Sequence, residues 1–140
     1  MIVVDVTSAA GHLSMPKASI RKIVGFVCGK EKVKKAEFSF VTVNDVMIRS
    51  INKKFLKHDY VTDVITFPLE KEAFVAEIYI NTQQLKRQAI ENRVTMKNEI
   101  IRLIVHGILH TLGYDDRTVA TKKEMDAVQE RYVTELSLKK

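Results

Sequence analysis

The chain has 140 residues, 46% of them hydrophobic, with one cysteine, no tryptophan and a formal net charge of +6. That length suits one domain, residues 1–140, with a proper core, and is too short for two. There is no run of about eighteen apolar residues to span a bilayer, no basic segment at the start to act as a secretory signal, and no second cysteine to pair with Cys28, which reads as a small buried apolar group.

The excess of Lys and Arg lies in about the first sixty residues, with clusters at 30–35 and 53–58. Such clusters keep a small protein in solution, and they also attract phosphate polyanions.

In chain order, residues 2–6 form a β-branched run and predict a strand. Ser14, Met15 and Pro16 open a helix with the stripe Ile20, Ile23, Val24 and Val27, and Gly29 falls after its end. Residues 37–43 alternate as a strand, with Phe38, Phe40 and Thr42 on one face. Asn44 and Asp45 cap a second helix with the stripe Met47, Ile48, Ile51 and Phe55. Residues 62–67 predict a strand ended by Pro68, and residues 74–80 another. Asn81 and Thr82 begin a helix to about Asn92, and Thr95 caps a long apolar helix. Thr121 and Glu124 read as a capping box for a last helix through Val128, Tyr132 and Leu136. The order predicts an α+β, or mixed α/β, layer: a four-stranded sheet packed against about five helices.

The feature that most constrains function is residues 106–116, His-Gly-Ile-Leu-His-Thr-Leu-Gly-Tyr-Asp-Asp. His106 and His110 are four residues apart and share one face of a helix that is otherwise apolar nearly all round. Gly113 tolerates the left-handed backbone that ends such a helix. The chain can then turn back and bring Asp116 beside the two imidazoles. Two histidine nitrogens and one carboxylate make a three-ligand set for a divalent metal, with a position left open for catalysis. Asp115 is the alternative third ligand, or else it orients a ligand or caps the next helix. The spacing resembles the zinc-hydrolase pattern H-E-x-x-H-x-x-G-x-x-[HD], but Gly107 stands where a metallopeptidase carries its general-base glutamate.

These residues resemble the signature of the YbeY family of endoribonucleases and rRNA maturation factors. Asn52, Phe55 and Asp59, followed by Thr62-Asp63-Val64-Ile65-Thr66-Phe67-Pro68, resemble a second family block, and residues 76–80 a third. The resemblance implies a bacterial, cytoplasmic, metal-dependent endoribonuclease, with zinc the usual ion. It also implies action on single-stranded RNA, maturation of the 3′ end of small-subunit rRNA and a part in ribosome quality control. RNA and the small ribosomal subunit are the partners so implied. No DNA specificity and no membrane partner are expected, and the protein is expected to be a monomer.

Two positions depart from the family pattern. Asp116 replaces its third histidine ligand, and Leu56 replaces an arginine near the metal. Lys54 and Lys57 are candidates to supply positive charge to the substrate, without reproducing a bidentate guanidinium. His58, in the same basic loop, is a third candidate contact, whereas His12 is a lone histidine. Asp63 reads equally as a turn-forming residue or an RNA contact, and Tyr114 as packed. Two other readings stay open: an RNA- or ribosome-binding module whose metal site is structural, which Leu56 favours, and a metallopeptidase, which Gly107 disfavours.

Overall fold

The computed structural model describes residues 1–70 and 72–138. The elements are β1 (Ile2–Ser8), α1 (Lys17–Lys30), β2 (Ala36–Val43), α2 (Asp45–Leu56), β3 (Val64–Glu70), β4 (Val75–Asn81), α3 (Thr82–Glu91), α4 (Met96–Thr111) and α5 (Val119–Leu138). The strands form one sheet in the order β1-β2-β4-β3, in which β1 and β4 run parallel to β2 and β3 runs antiparallel to β4. Among the described residues the predicted α+β class, four strands and five helices are all found. Among the described residues no helix is long and apolar enough to cross a membrane.

Side chains alternate across a strand, so each strand serves two faces. Phe38 and Phe40 of β2 and Ile78 and Ile80 of β4 point to one side. There they join Ile20, Val24 and Val27 of α1 and Ile100, Ile104, Val105 and Ile108 of α4 in the main core. Val41 and Val43 of β2, with Ile65, Phe67 and Tyr79, face the other side and are covered by Ile48 and Ile51 of α2. Thr42, expected on the Phe38 face, is fully buried, and its hydroxyl donates to the Gly11 carbonyl at 2.8 Å.

Four boundaries differ from expectation. Gly29 lies inside α1, not after it. The helix runs to Lys30, and Lys32 takes the left-handed turn at φ 59°, with the Val33 N–H returning to the Cys28 carbonyl at 2.8 Å. Pro68 lies within β3 because β3 is the edge strand, where a residue lacking N–H need leave no ladder bond unmade; the register shifts between Pro68 and Glu70. α5 begins at Val119, before Thr121. The Thr118 hydroxyl accepts from the Thr121 N–H at 3.0 Å and the Thr121 hydroxyl from the Thr118 N–H at 3.1 Å, a reciprocal cap closed by Thr121 where Glu124 was expected. Phe55 is exposed, its ring set edge-on against Phe67 at 5.7 Å, so the buried part of the α2 stripe stops at Ile51 and Asn52.

Candidate active site

α4 is capped at its start by Thr95, whose hydroxyl accepts from the Asn98 N–H at 3.0 Å. At its end the Gly113 N–H returns to the His110 carbonyl at 3.2 Å and the Tyr114 N–H to the Leu109 carbonyl at 3.0 Å. That pair of bonds is a Schellman motif, and it requires the left-handed φ of 111° at Gly113. Between these caps nearly every side chain of α4 is buried. After the more exposed first turn, from Glu99 to Thr111, Arg102, His106 and His110 are the partly exposed exceptions, spaced by four residues on a single stripe.

The stripe forms one wall of a cleft of about 740 Å³. His106, His110 and Asp116 all line it, as do Leu56 at the end of α2 and His58 just after it. The two imidazole rings lie 5.0 Å apart between centroids, at 78° to one another. His106 Nδ1 is 2.7 Å from Gln129 Oε1. An amide oxygen only accepts, so His106 Nδ1 donates to it, and in the neutral ring Nε2 is the nitrogen left to bind a metal. Burial, and then the neighbouring His106, holds the His110 pKa below the ordinary histidine value, against the pull of Asp116 and Asp115. A depressed pKa keeps the ring neutral at pH 7, the state a metal ligand needs.

The third position is less fixed. Asp116 is exposed on the loop after α4, and among the described residues no three His, Cys, Asp or Glu side chains close into a metal-holding group. The donor chemistry nonetheless suits a divalent ion: two imidazoles on a rigid helix, with one ring oriented by a buried partner, and a carboxylate at the same cleft. Asp115 is committed elsewhere. Its carboxylate accepts from the Arg117 N–H at 3.1 Å, and hydrogen bonds from Thr121 and then Arg117 hold its pKa low, so it caps the approach to α5.

Other candidates separate in the same way. His58 lines the cleft, whereas Lys54 and Lys57 are exposed at the end of α2 and do not line it. His12 lies 3.1 Å from the Ser8 hydroxyl, outside the cleft. Tyr114 is packed, its hydroxyl donating to Glu31 at 2.8 Å, with its pKa pushed up to about 12 by burial and by that bond. Burial pushes the Cys28 thiol up to about 11, an unreactive value.

Sequence periodicity gave no sign of the polar network behind the histidines. Gln129 is only 7% exposed, and its amide donates to Glu130 at 3.3 Å. Arg102 grips Glu130 through Nε and Nη2, at 2.9 and 2.8 Å, and donates to Glu99 at 2.8 Å. Glu99, 1% exposed, also accepts from Gln88, which donates to Asp63 as well, at 3.1 Å. Asp63 therefore has a structural partner. Arg102 is a guanidinium lining the same cleft as Leu56, but both of its edges are spent on carboxylates. The signal that could have found Arg102 is its i,i+4 spacing from His106; Gln129 has no comparable local signal.

The family described as Endoribonuclease YbeY matches residues 7–137. Among its members, the Endoribonuclease YbeY of Chloroherpeton thalassium is 37% identical over 123 residues, covering 87% of each chain. That of Acholeplasma laidlawii is 42% identical over 102 residues, 71% of this chain and 74% of the relative. That of Bacillus licheniformis is 32% identical and covers 98% of this chain and 96% of its own. A Thermotoga maritima protein of known solution structure superposes with a TM-score of 0.72 at 28% identity, over 96% of this chain and 89% of that one. A match over almost the whole length, together with a cleft built on the His106 and His110 stripe, means that the chain belongs to the YbeY endoribonuclease family.

Proposed function

We propose that this protein is a metal-dependent endoribonuclease that cleaves single-stranded RNA, with His106, His110 and Asp116 as the ligands of one divalent ion, zinc by preference. The observation that carries the reading is the pair of imidazoles on one stripe of a buried helix, facing a cleft, with the inner nitrogen of His106 engaged by Gln129 at 2.7 Å. An ion held there supplies polarisation of a phosphoryl oxygen and activation of water near neutral pH.

The chain's own residues do the rest. α4 holds both rings at fixed spacing, Gln129 sets the His106 tautomer, and Arg102 clamps Glu130, which in turn holds the Gln129 amide. His58 offers the strand a polar contact in the cleft, and the exposed Lys54 and Lys57 at the end of α2 add positive charge outside it. In the cell, this activity serves maturation of the 3′ end of small-subunit rRNA and ribosome quality control in the cytoplasm, carried out by a monomer.

The test is digestion of an end-labelled single-stranded oligoribonucleotide by zinc-loaded and chelator-stripped protein, beside the matching duplex and DNA. Internal cleavage of the single strand by the loaded form alone supports the reading. Binding without cleavage by both forms, which Leu56 at the cleft makes a specific alternative, identifies an RNA-binding module instead.

Gln129 gives a finer check. Gln129→Leu removes the acceptor for His106 Nδ1 and is expected to weaken zinc binding by about 10- to 100-fold. Chelator competition reads the affinity. ¹⁵N shifts of the His106 ring read the tautomer, which a merely structural loss would leave unchanged.

A further inference from the structure

The geometry points to a base-stacking subsite formed by Tyr60 and His58 in the same cleft as the histidine pair, which takes an unpaired RNA base. This inference rests on the proposed reading of the cleft as an RNA site and adds what holds the strand there.

Both residues line the cleft. Their rings lie within 17° of parallel, with centroids 5.3 Å apart, and the Tyr60 hydroxyl meets His58 Nδ1 at 3.0 Å, so the two rings move as one plate. Tyr60 is 54% exposed. An aromatic side chain that far in solvent would ordinarily be free to swing, but this one sits on a built support. Asn52, 1% exposed, donates its side-chain amide to the Tyr60 carbonyl at 3.1 Å and accepts at its own carbonyl from the His58 N–H at 3.2 Å. Asp59, between them, is pinned to Arg49 at 2.8 Å.

A buried asparagine, an ion pair and a left-handed turn at Lys57 thus fix the short loop that presents the two rings. Lys53, Lys54 and Lys57, just before them in the chain, are all exposed. A π-face next to a basic, exposed helix end suits a single strand: stacking holds a base without regard to its identity while lysines track the phosphates. A base within a duplex offers no free face to such a plate.

The experiment uses the chain's lack of tryptophan. Tyr60→Trp places a unique fluorophore on the plate. The probes are a 2′-O-methyl oligoadenylate decamer, which resists cleavage, and its duplex with 2′-O-methyl oligouridylate. Tyr60→Trp is expected to bind the single strand at least as tightly as wild type, with its emission quenched on binding. Tyr60→Ala is expected to bind it on the order of tenfold more weakly with duplex binding unchanged.

Single-strand binding that ignores Tyr60→Ala, or no quenching in Tyr60→Trp, overturns the subsite and leaves the patch to a protein partner. An equal loss for single strand and duplex also overturns it, because the effect is then structural. If wild type binds neither probe, it is the RNA reading of the cleft that fails, and the subsite with it.

Discussion

His110→Ala is expected to remove RNA cleavage while leaving the fold in place. The two outcomes separate because of where the side chain sits. His110 is in the last turn of α4, partly exposed to the cleft, and the bonds that terminate the helix run from the Gly113 and Tyr114 N–H groups to the His110 and Leu109 carbonyls. Those are main-chain bonds, and alanine keeps them. Alanine is also the better helix former, so thermal unfolding is expected within a few degrees of wild type.

The ligand, however, is gone. Charge stabilisation of a phosphoryl transition state by a metal is worth several kcal/mol, and each ~1.4 kcal/mol is tenfold in rate. A fall in kcat/KM on the order of 10²- to 10³-fold is therefore expected, with bound zinc dropping well below one equivalent. Asp116→Ala is expected to lose less. An exposed carboxylate on a loop is the least pre-organised of the three donors, and water can take its place. Cleavage by His110→Ala within tenfold of wild type, at normal zinc content, would remove the basis of the proposed site.

What the sequence disclosed and what it hid divide along the range of the interactions. The histidine pair was legible because both rings belong to one helix and i,i+4 spacing is a local property. Thr95 and Gly113 were legible for the same reason, since caps act within a turn or two. The misplaced boundaries fail either at the sheet edge, outside the element, or where a second local turn or cap competes with the expected one. Pro68 is tolerated because β3 lies at the sheet edge, which no local pattern encodes. Lys32 takes the left-handed turn that Gly29 was expected to take.

Gln129 and the His58–Tyr60 plate lay beyond the pattern altogether. Gln129 reaches His106 only because α5 packs on α4, across twenty-three positions of chain. The plate depends on Asn52, which as sequence was part of a family block with no assigned contact. Asp116 falls between these cases. Chain length brings it to the cleft, but nothing local fixes its rotamer, and the ligand set is correspondingly open.

Gly107→Glu, the change that restores the metallopeptidase sequence, is expected to give an insoluble or unfolded protein rather than a peptidase. Residue 107 does not face the cleft. A Cβ built on Gly107 meets the Ile78 side chain of β4 at 2.9 Å from both Cδ1 and Cγ2 and at 3.3 Å from Cγ1, and Ile78 is wholly buried. Glycine is thus what lets α4 lie close on the sheet and hold His106 and His110 at the depth they occupy. A glutamate there would bury an unpaired carboxylate against isoleucine at a cost of several kcal/mol, comparable with the ~5–15 kcal/mol that holds a domain folded.

The milder Gly107→Ala sets two terms against each other. Alanine gains about 1 kcal/mol of helix propensity, while overpacking costs about 1–3 kcal/mol. Cγ1 and Cγ2 stand close to the β4 backbone and cannot swing clear, so overpacking wins and a net loss of about 1 kcal/mol is expected in urea unfolding. The sign should reverse once Ile78 is cut back. In an Ile78→Ala background the atoms in the way are absent, the new methyl partly fills the cavity they leave, and Gly107→Ala becomes stabilising. A coupling near zero in that double-mutant cycle would mean that α4 is not seated on Ile78, and that its histidines owe their position to something else.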